Sequence, residues 1–143
     1  MRARNIPVPE ASLAGIAAGV ALEQVRRWRL KSRPRAGWAL VAAGSLVIAS
    51  SLKAAGNTDL AKPEGLVTSG PYAVSRNPMY VGWGLLQLGI GLITGSGWML
   101  ATLPAVGAGL RLDVVREERR LEQHFGDEYE RYAAKVGRYV PTR

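Results

Sequence analysis

The sequence has no cysteine, one histidine and one phenylalanine in 143 residues. Without cysteine, a disulfide scaffold, a thiolate-ligated metal and a thiolate nucleophile are all excluded. A lone histidine, His124, leaves too few ligands for a dedicated transition-metal site, so no metal is expected. A further absence is positional. Residues 77–110 carry no Asp, Glu, Lys or Arg, although 21% of the chain is charged. One helical crossing of a bilayer needs roughly 20 apolar residues, so this stretch is too long for a single span. The 48% apolar content resembles that of a soluble domain, but the uneven placement of charge reads as a small membrane protein.

The pattern predicts an all-α integral membrane fold in one domain, 1–143. About four transmembrane helices are expected, over about 6–22, 36–54, 78–94 and 97–125. A cytosolic helical tail follows, with a helix at about 128–136. Gly95-Ser96-Gly97 breaks the uncharged stretch and makes the last two helices a hairpin. Glycines are dense along it, at Gly82, Gly84, Gly89, Gly91, Gly107 and Gly109. Small residues let helices approach closely in lipid, and they can equally leave room for a ligand. Arg2 and Arg4 ahead of a short apolar run, with Gly19-Val20-Ala21 beyond it, also fit a signal peptide. A retained helix is the reading adopted.

Net charge is +8, and six of the 19 Lys and Arg residues fall between Arg26 and Arg35. With both termini in the cytoplasm, the other thirteen lie inside, which favours that orientation over its inverse. The basic first loop argues against it, and contact with anionic headgroups is its simplest role. The loop sits between apolar segments with no nucleic-acid fold around it, so nucleic acid is not expected as a partner.

If 77–110 is a hairpin, the polar segments 53–77 and 111–143 share one membrane face. The first of these ends in Gly70-Pro71-Tyr72 and then Arg76-Asn77-Pro78-Met79-Tyr80-Val81-Gly82. Asn77-Pro78 predicts an N-cap with proline at the first helical position. The free amides of such a helix start, with Arg76 beside them, suit a carboxylate or phosphate. In the tail, Val114, Glu118, Leu121 and Phe125 fall on one helical stripe, with Glu117 one step aside. A carboxylate on an apolar stripe needs a partner, either an internal arginine such as Arg76 or a cationic ligand. Gly126 ends this helix, Asp127 and Glu130 predict a capping box for the next, and Tyr129 and Tyr132 share a face. His124, near a helix end, reads as a dipole partner.

Taken together, these two regions resemble the integral-membrane methyltransferases, the group of isoprenylcysteine carboxyl methyltransferase and the phospholipid N-methyltransferases. The residues that carry the resemblance are Gly-Pro-Tyr, Arg-x-Pro-x-Tyr-x-Gly, the uncharged hairpin, Glu-Glu-x-x-Leu and Phe-Gly-x-Glu-Tyr-x-x-Tyr, between about Gly65 and Pro141. The resemblance implies S-adenosylmethionine as methyl donor, bound on the cytosolic side. It places Gly70, Pro71, Tyr72, Arg76, Asn77, Pro78, Tyr80 and Gly82 along the cofactor pocket, with Glu117 and Glu118 opposite. Asn77 stands where the carboxyl enzymes usually have histidine and is similar to the phospholipid branch, whereas the tail is closer to the carboxyl branch.

Methyl transfer is an in-line displacement that depends mainly on orientation, so a carboxylate or thiol acceptor requires no catalytic dyad. An amine acceptor must lose a proton, and Glu118 or a tyrosine is the expected route. Glycine-notched aliphatic helices suit a lipophilic or lipid acceptor that arrives from the bilayer, and Arg138 suits an anionic head. Two other classes compete. Glu10 and Glu23 bordering the first helix fit a small proton-coupled multidrug transporter. A non-catalytic lipid-binding protein of the same fold is the other.

Overall fold

The computed structural model describes residues 9–56 and 65–141. Among the described residues all regular structure is helical: α1 (Glu10–Val25), α2 (Pro34–Ala55), α3 (Pro78–Thr94), α4 (Gly97–Ala101), α5 (Leu103–Phe125) and α6 (Asp127–Lys135). A 3₁₀ turn at Gly70–Ala73 precedes α3.

Local chemistry sets these boundaries. Proline at the first turn opens α2, α3 and α5, where its missing N–H has no cost. Glycines with positive φ close α2, α3 and α5, at Gly56, Gly95 and Gly126. The first helix differs from the expected 6–22 span, whose opening residues lie outside the described ones. It runs on to Val25 because Glu23 has partners inside the fold: it accepts from Ser96 Oγ at 2.8 Å and pairs with Arg29 Nε at 3.1 Å.

The segment expected as one helix over 97–125 is interrupted at Thr102. Pro104 lacks the N–H that would reach the Leu100 carbonyl, which breaks the ladder. Gln87, fully buried on α3, donates beside the break to Thr102 Oγ1 (2.9 Å) and the Met99 carbonyl (3.3 Å). The Asp127/Glu130 capping box does not form. Asp127 is already the first helical residue, and Gly126 takes the cap position without a side-chain bond.

α2 and α3 pack antiparallel through two glycine pairs. A Cβ on Gly44 would stand 2.6 Å from the Gly82 carbonyl oxygen, and one on Gly89 would stand 2.7 Å from that of Gly37. Only glycine lets the backbones approach this closely, and in lipid such contact is a main source of helix affinity. Gly84 and Gly107 face open space instead.

At one end of the bundle the basic loop after α1 lies on the α3–α4 turn. Leu30 N donates to the Gly95 carbonyl and Gly97 N to that of Trp28, both at 2.7 Å. Trp98 Nε1 reaches the Arg26 carbonyl at 2.6 Å, and its ring meets Trp28 edge-on at 5.3 Å. The opposite end holds the start of α3, the polar half of α5, and α6.

Candidate active site

At that opposite end, residues 75–77 and 136–138 run side by side. Arg76 N donates to the Gly137 carbonyl at 2.9 Å, and Ser75 Oγ donates to the Arg138 carbonyl at 3.2 Å. This clasp brings the tail back onto the start of α3. Asn77 occupies the predicted N-cap position, but its side chain makes no capping bond. Its amide nitrogen instead donates to Glu118 Oε1 (3.1 Å) and the Arg138 carbonyl (3.2 Å). A buried carboxylate is the stronger acceptor, so the side chain turns toward it.

Glu118 is the hub of this end. Arg138 places Nε and Nη2 on Oε2 at 3.0 and 2.8 Å, while Arg76 Nη2 stands 3.7 Å from Oε1. Of the two partners the sequence left open for Glu118, internal arginines are the ones present. Arg138, expected to meet an anionic head, is turned onto this carboxylate.

Glu117 has a different setting. It accepts from Tyr80 Oη at 3.2 Å and has no cation at ion-pair distance among the described residues. Arg76 has the complementary deficit. Its Nη1 donates to Tyr129 Oη at 3.2 Å and its guanidinium lies over the Tyr129 ring, but its buried Nε has no partner. A buried N–H left unpaired is costly, so it marks a position for a ligand acceptor.

These groups line a single cavity, with Tyr72, Arg76, Asn77, Pro78, Tyr80, Glu117 and Glu118 in its wall. The enclosed part is about 60 Å³, and it opens to solvent above. Gly70, Pro71, Gly82 and Arg138 lie outside the wall. Gly82 packs on Ile48 of α2, and Gly70, at φ +59°, sits against Ala54. Sequence reasoning missed Leu66, Val67, Met79, Leu121, Tyr129 and Tyr132 as wall residues. The Tyr129/Tyr132 spacing was the one available signal.

The phenols are held neutral. Burial first, and the negative charge of Glu117 second, push Tyr72 up to about 12. Burial also raises Tyr129 and Tyr132. Tyr132 Oη donates to the Tyr72 carbonyl at 2.6 Å, which fixes α6 over the 3₁₀ turn. At neutral pH the cavity therefore offers hydroxyl donors, aromatic faces, one unpaired guanidinium N–H and one carboxylate without a cation.

A sequence model of the family described as phospholipid methyltransferase matches residues 33–128. The chain belongs to the phospholipid methyltransferase family. A search of the curated proteins finds no match. The phospholipid methyltransferase match begins at the start of α2, well before the motif run that opens near Gly65. It stops short of Tyr129, Tyr132 and Arg138, so the clasp and the α6 tyrosines lie beyond it. Among the described residues two helices are long and apolar enough to cross a membrane, Pro34–Ala55 and, counted through the break at Thr102, Gly97–Phe125. With the family, they make this a membrane protein of a methyltransferase family. No group of metal-binding side chains occurs among the described residues.

The carboxylates of the transporter reading have other positions. Glu23 is taken up by Arg29 and Ser96, and Glu10 is exposed at the start of α1. Glu10 is not buried, and Glu23, although its buried Oε1 accepts no hydrogen bond, has a counter-charge in Arg29.

Proposed function

We propose that this protein transfers a methyl group from S-adenosylmethionine to a lipophilic acceptor, either an isoprenoid-type carboxylate or thiol or a phospholipid amine. In this reading it is a multi-pass protein of the cell (inner) membrane, with four helical segments and its cofactor site facing the cytoplasm. The observation that carries the proposal is the pairing of opposite deficits in one cavity: the unpartnered Arg76 Nε and the Glu117 carboxylate that lacks a cation. S-adenosylmethionine has a carboxylate for the first, an ammonium or ribose hydroxyl for the second, and a flat base for the tyrosines.

When bound, the cofactor supplies an electrophilic methyl group on a good leaving group. The chain's own residues bind, orient and exclude water. Arg76 and Glu117 hold the two ends of the ligand, while Tyr72 and Tyr80 supply aromatic walls. Asn77, Glu118 and Arg138 are positioning residues, because their contacts are to one another and to Arg76. Gly70 and Pro71 shape the turn that presents Tyr72, and Gly82 seats α3 on α2. Holding the acceptor in line contributes several kcal/mol without any proton transfer.

The test is calorimetric titration of S-adenosylhomocysteine into detergent-purified protein, with the Arg76→Lys and Glu117→Gln variants alongside. Micromolar binding, at least tenfold weaker in each variant, is expected, since each loses a charge-assisted bond. A folded wild-type sample that binds nothing overturns the proposal. Labelled methyl transfer to fractionated lipid extract then identifies the acceptor class.

A further inference from the structure

A second cavity, of about 450 Å³, opens at the end of the bundle away from the tyrosines. Its polar wall includes Glu23, Arg27, Arg29 and Ser96, and its apolar floor includes Val20, Ile90 and Met99. Ile90 stands ten residues beyond Tyr80 on α3, about 15 Å along the helix. A ligand here is out of reach of the groups that line the first cavity.

The charge in this wall does not balance. The Glu23 carboxylate pairs with Arg29 Nε at 3.1 Å and accepts from Ser96 Oγ at 2.8 Å, although its buried Oε1 accepts no hydrogen bond. Arg29 spends a second nitrogen, Nη1, on the Thr94 carbonyl at 2.9 Å, so its Nη2 is left over. Among the described residues Arg27 has no hydrogen bond or ion pair, which leaves the described wall one full positive charge in excess. A cationic ligand is disfavoured there, and an anion is attracted. Arginine suits phosphate in particular, because its fork can present two N–H groups at once. The floor beneath these arginines is aliphatic, and a free anion gains nothing from an aliphatic floor.

We infer that this cavity binds the phosphate headgroup of a membrane phospholipid, with Arg27 and Arg29 on the phosphate and the first methylenes of the lipid along Val20, Ile90 and Met99. The bound lipid is a resident of the leaflet opposite the proposed cofactor site and not the methyl acceptor. This inference does not depend on the methyl-transfer reading.

Native mass spectrometry in detergent tests it, with three probes: dihexanoyl phosphatidylglycerol, inorganic phosphate and dihexanoylglycerol. The first should bind at micromolar concentration, and the other two should neither bind nor displace it. Arg27→Gln should weaken that binding about tenfold, the loss of one charge-assisted pair. Arg35→Gln, an exposed arginine outside the cavity, should leave it unchanged. Val20→Trp, which fills the floor, should abolish binding without lowering the melting temperature, which guards against misreading a folding defect. Equal weakening by Arg27→Gln and Arg35→Gln would mean general charge attraction and overturn the site. Full competition by phosphate, or equal binding of the uncharged diacylglycerol, would overturn the phospholipid as its occupant. Because no methyl transfer is read, an inactive enzyme with intact lipid binding separates the two proposals.

Discussion

Arg138 sets two nitrogens on one oxygen of Glu118, at 3.0 and 2.8 Å, and leaves the other oxygen to Asn77 and Arg76. The contact links the end of the chain to α5 and, through Asn77, to the first turn of α3. A carboxylate with this many donors works as a joint. Its loss should therefore be felt first in stability.

Glu118→Ala should lower stability by about 2–3 kcal/mol, because it strands Arg76 without its counter-charge. Arg138→Lys keeps the charge but loses the fork, and should cost about 1 kcal/mol. Arg138 is 37% exposed, so water compensates part of its loss. Thermal melts in one detergent rank the two variants, and the reverse order would mean that Glu118 is not the hub.

Glu117→Gln should separate binding from stability. The side chain keeps its size and its contact with Tyr80 but loses its charge. The expected outcome is a melting temperature within a few degrees of wild type, with affinity for S-adenosylhomocysteine down about tenfold. A large drop in melting temperature would assign Glu117 to the scaffold.

Alkaline pH should loosen the tail. Tyr72 moves from 10.0 to about 12 in the fold, and Tyr129 and Tyr132 shift the same way. A group whose folded value lies above its unfolded one gives stability that is complete below the unfolded value and is lost as pH rises through the folded one. Stability should be flat up to about pH 10 and then fall toward pH 12. Tyr72→Phe should make that fall shallower. Absorbance of tyrosinate at pH 11 should be lower in folded protein than in protein unfolded at the same pH.

The glycines divide into two groups. Gly44→Ala places a methyl against the Gly82 carbonyl and should cost about 2 kcal/mol through overpacking. Gly84→Ala meets nothing within 4 Å and should be neutral or stabilising by up to about 1 kcal/mol, since alanine favours a helix. Equal effects at the two positions would rule out close backbone contact as the basis of α2–α3 packing.

Much of this architecture is legible one residue at a time. Pro78 and Gly95 punctuate α3 so clearly that sequence and structure give the same interval. The glycine spacing announces close helices but not which glycines touch, because that depends on a second helix. Glu23 reads locally as a helix stop and turns out to be interior, since Arg29 and Ser96 reach it from later in the chain. Asn77 reads as a cap for the same reason: local pattern carries no news of Glu118, 41 residues on. In the candidate site, Arg76, Tyr80 and Glu117 follow from motif and face. Tyr129 and Tyr132 enter the cavity only because residues 136–138 fold back beside 75–77, and no periodicity encodes that return.

The loop laid over the α3–α4 turn has a mechanical consequence. Three backbone bonds, a tryptophan pair and the Ser96 hydroxyl on Glu23 pin α1 and the basic loop that leads into α2 to the hairpin at that end. Together they act as a staple across the helices, like the spring of a clothes peg set in the basic loop. The start of α3 and the polar half of α5, which line the candidate site, then stand at the end of the helices farthest from that staple.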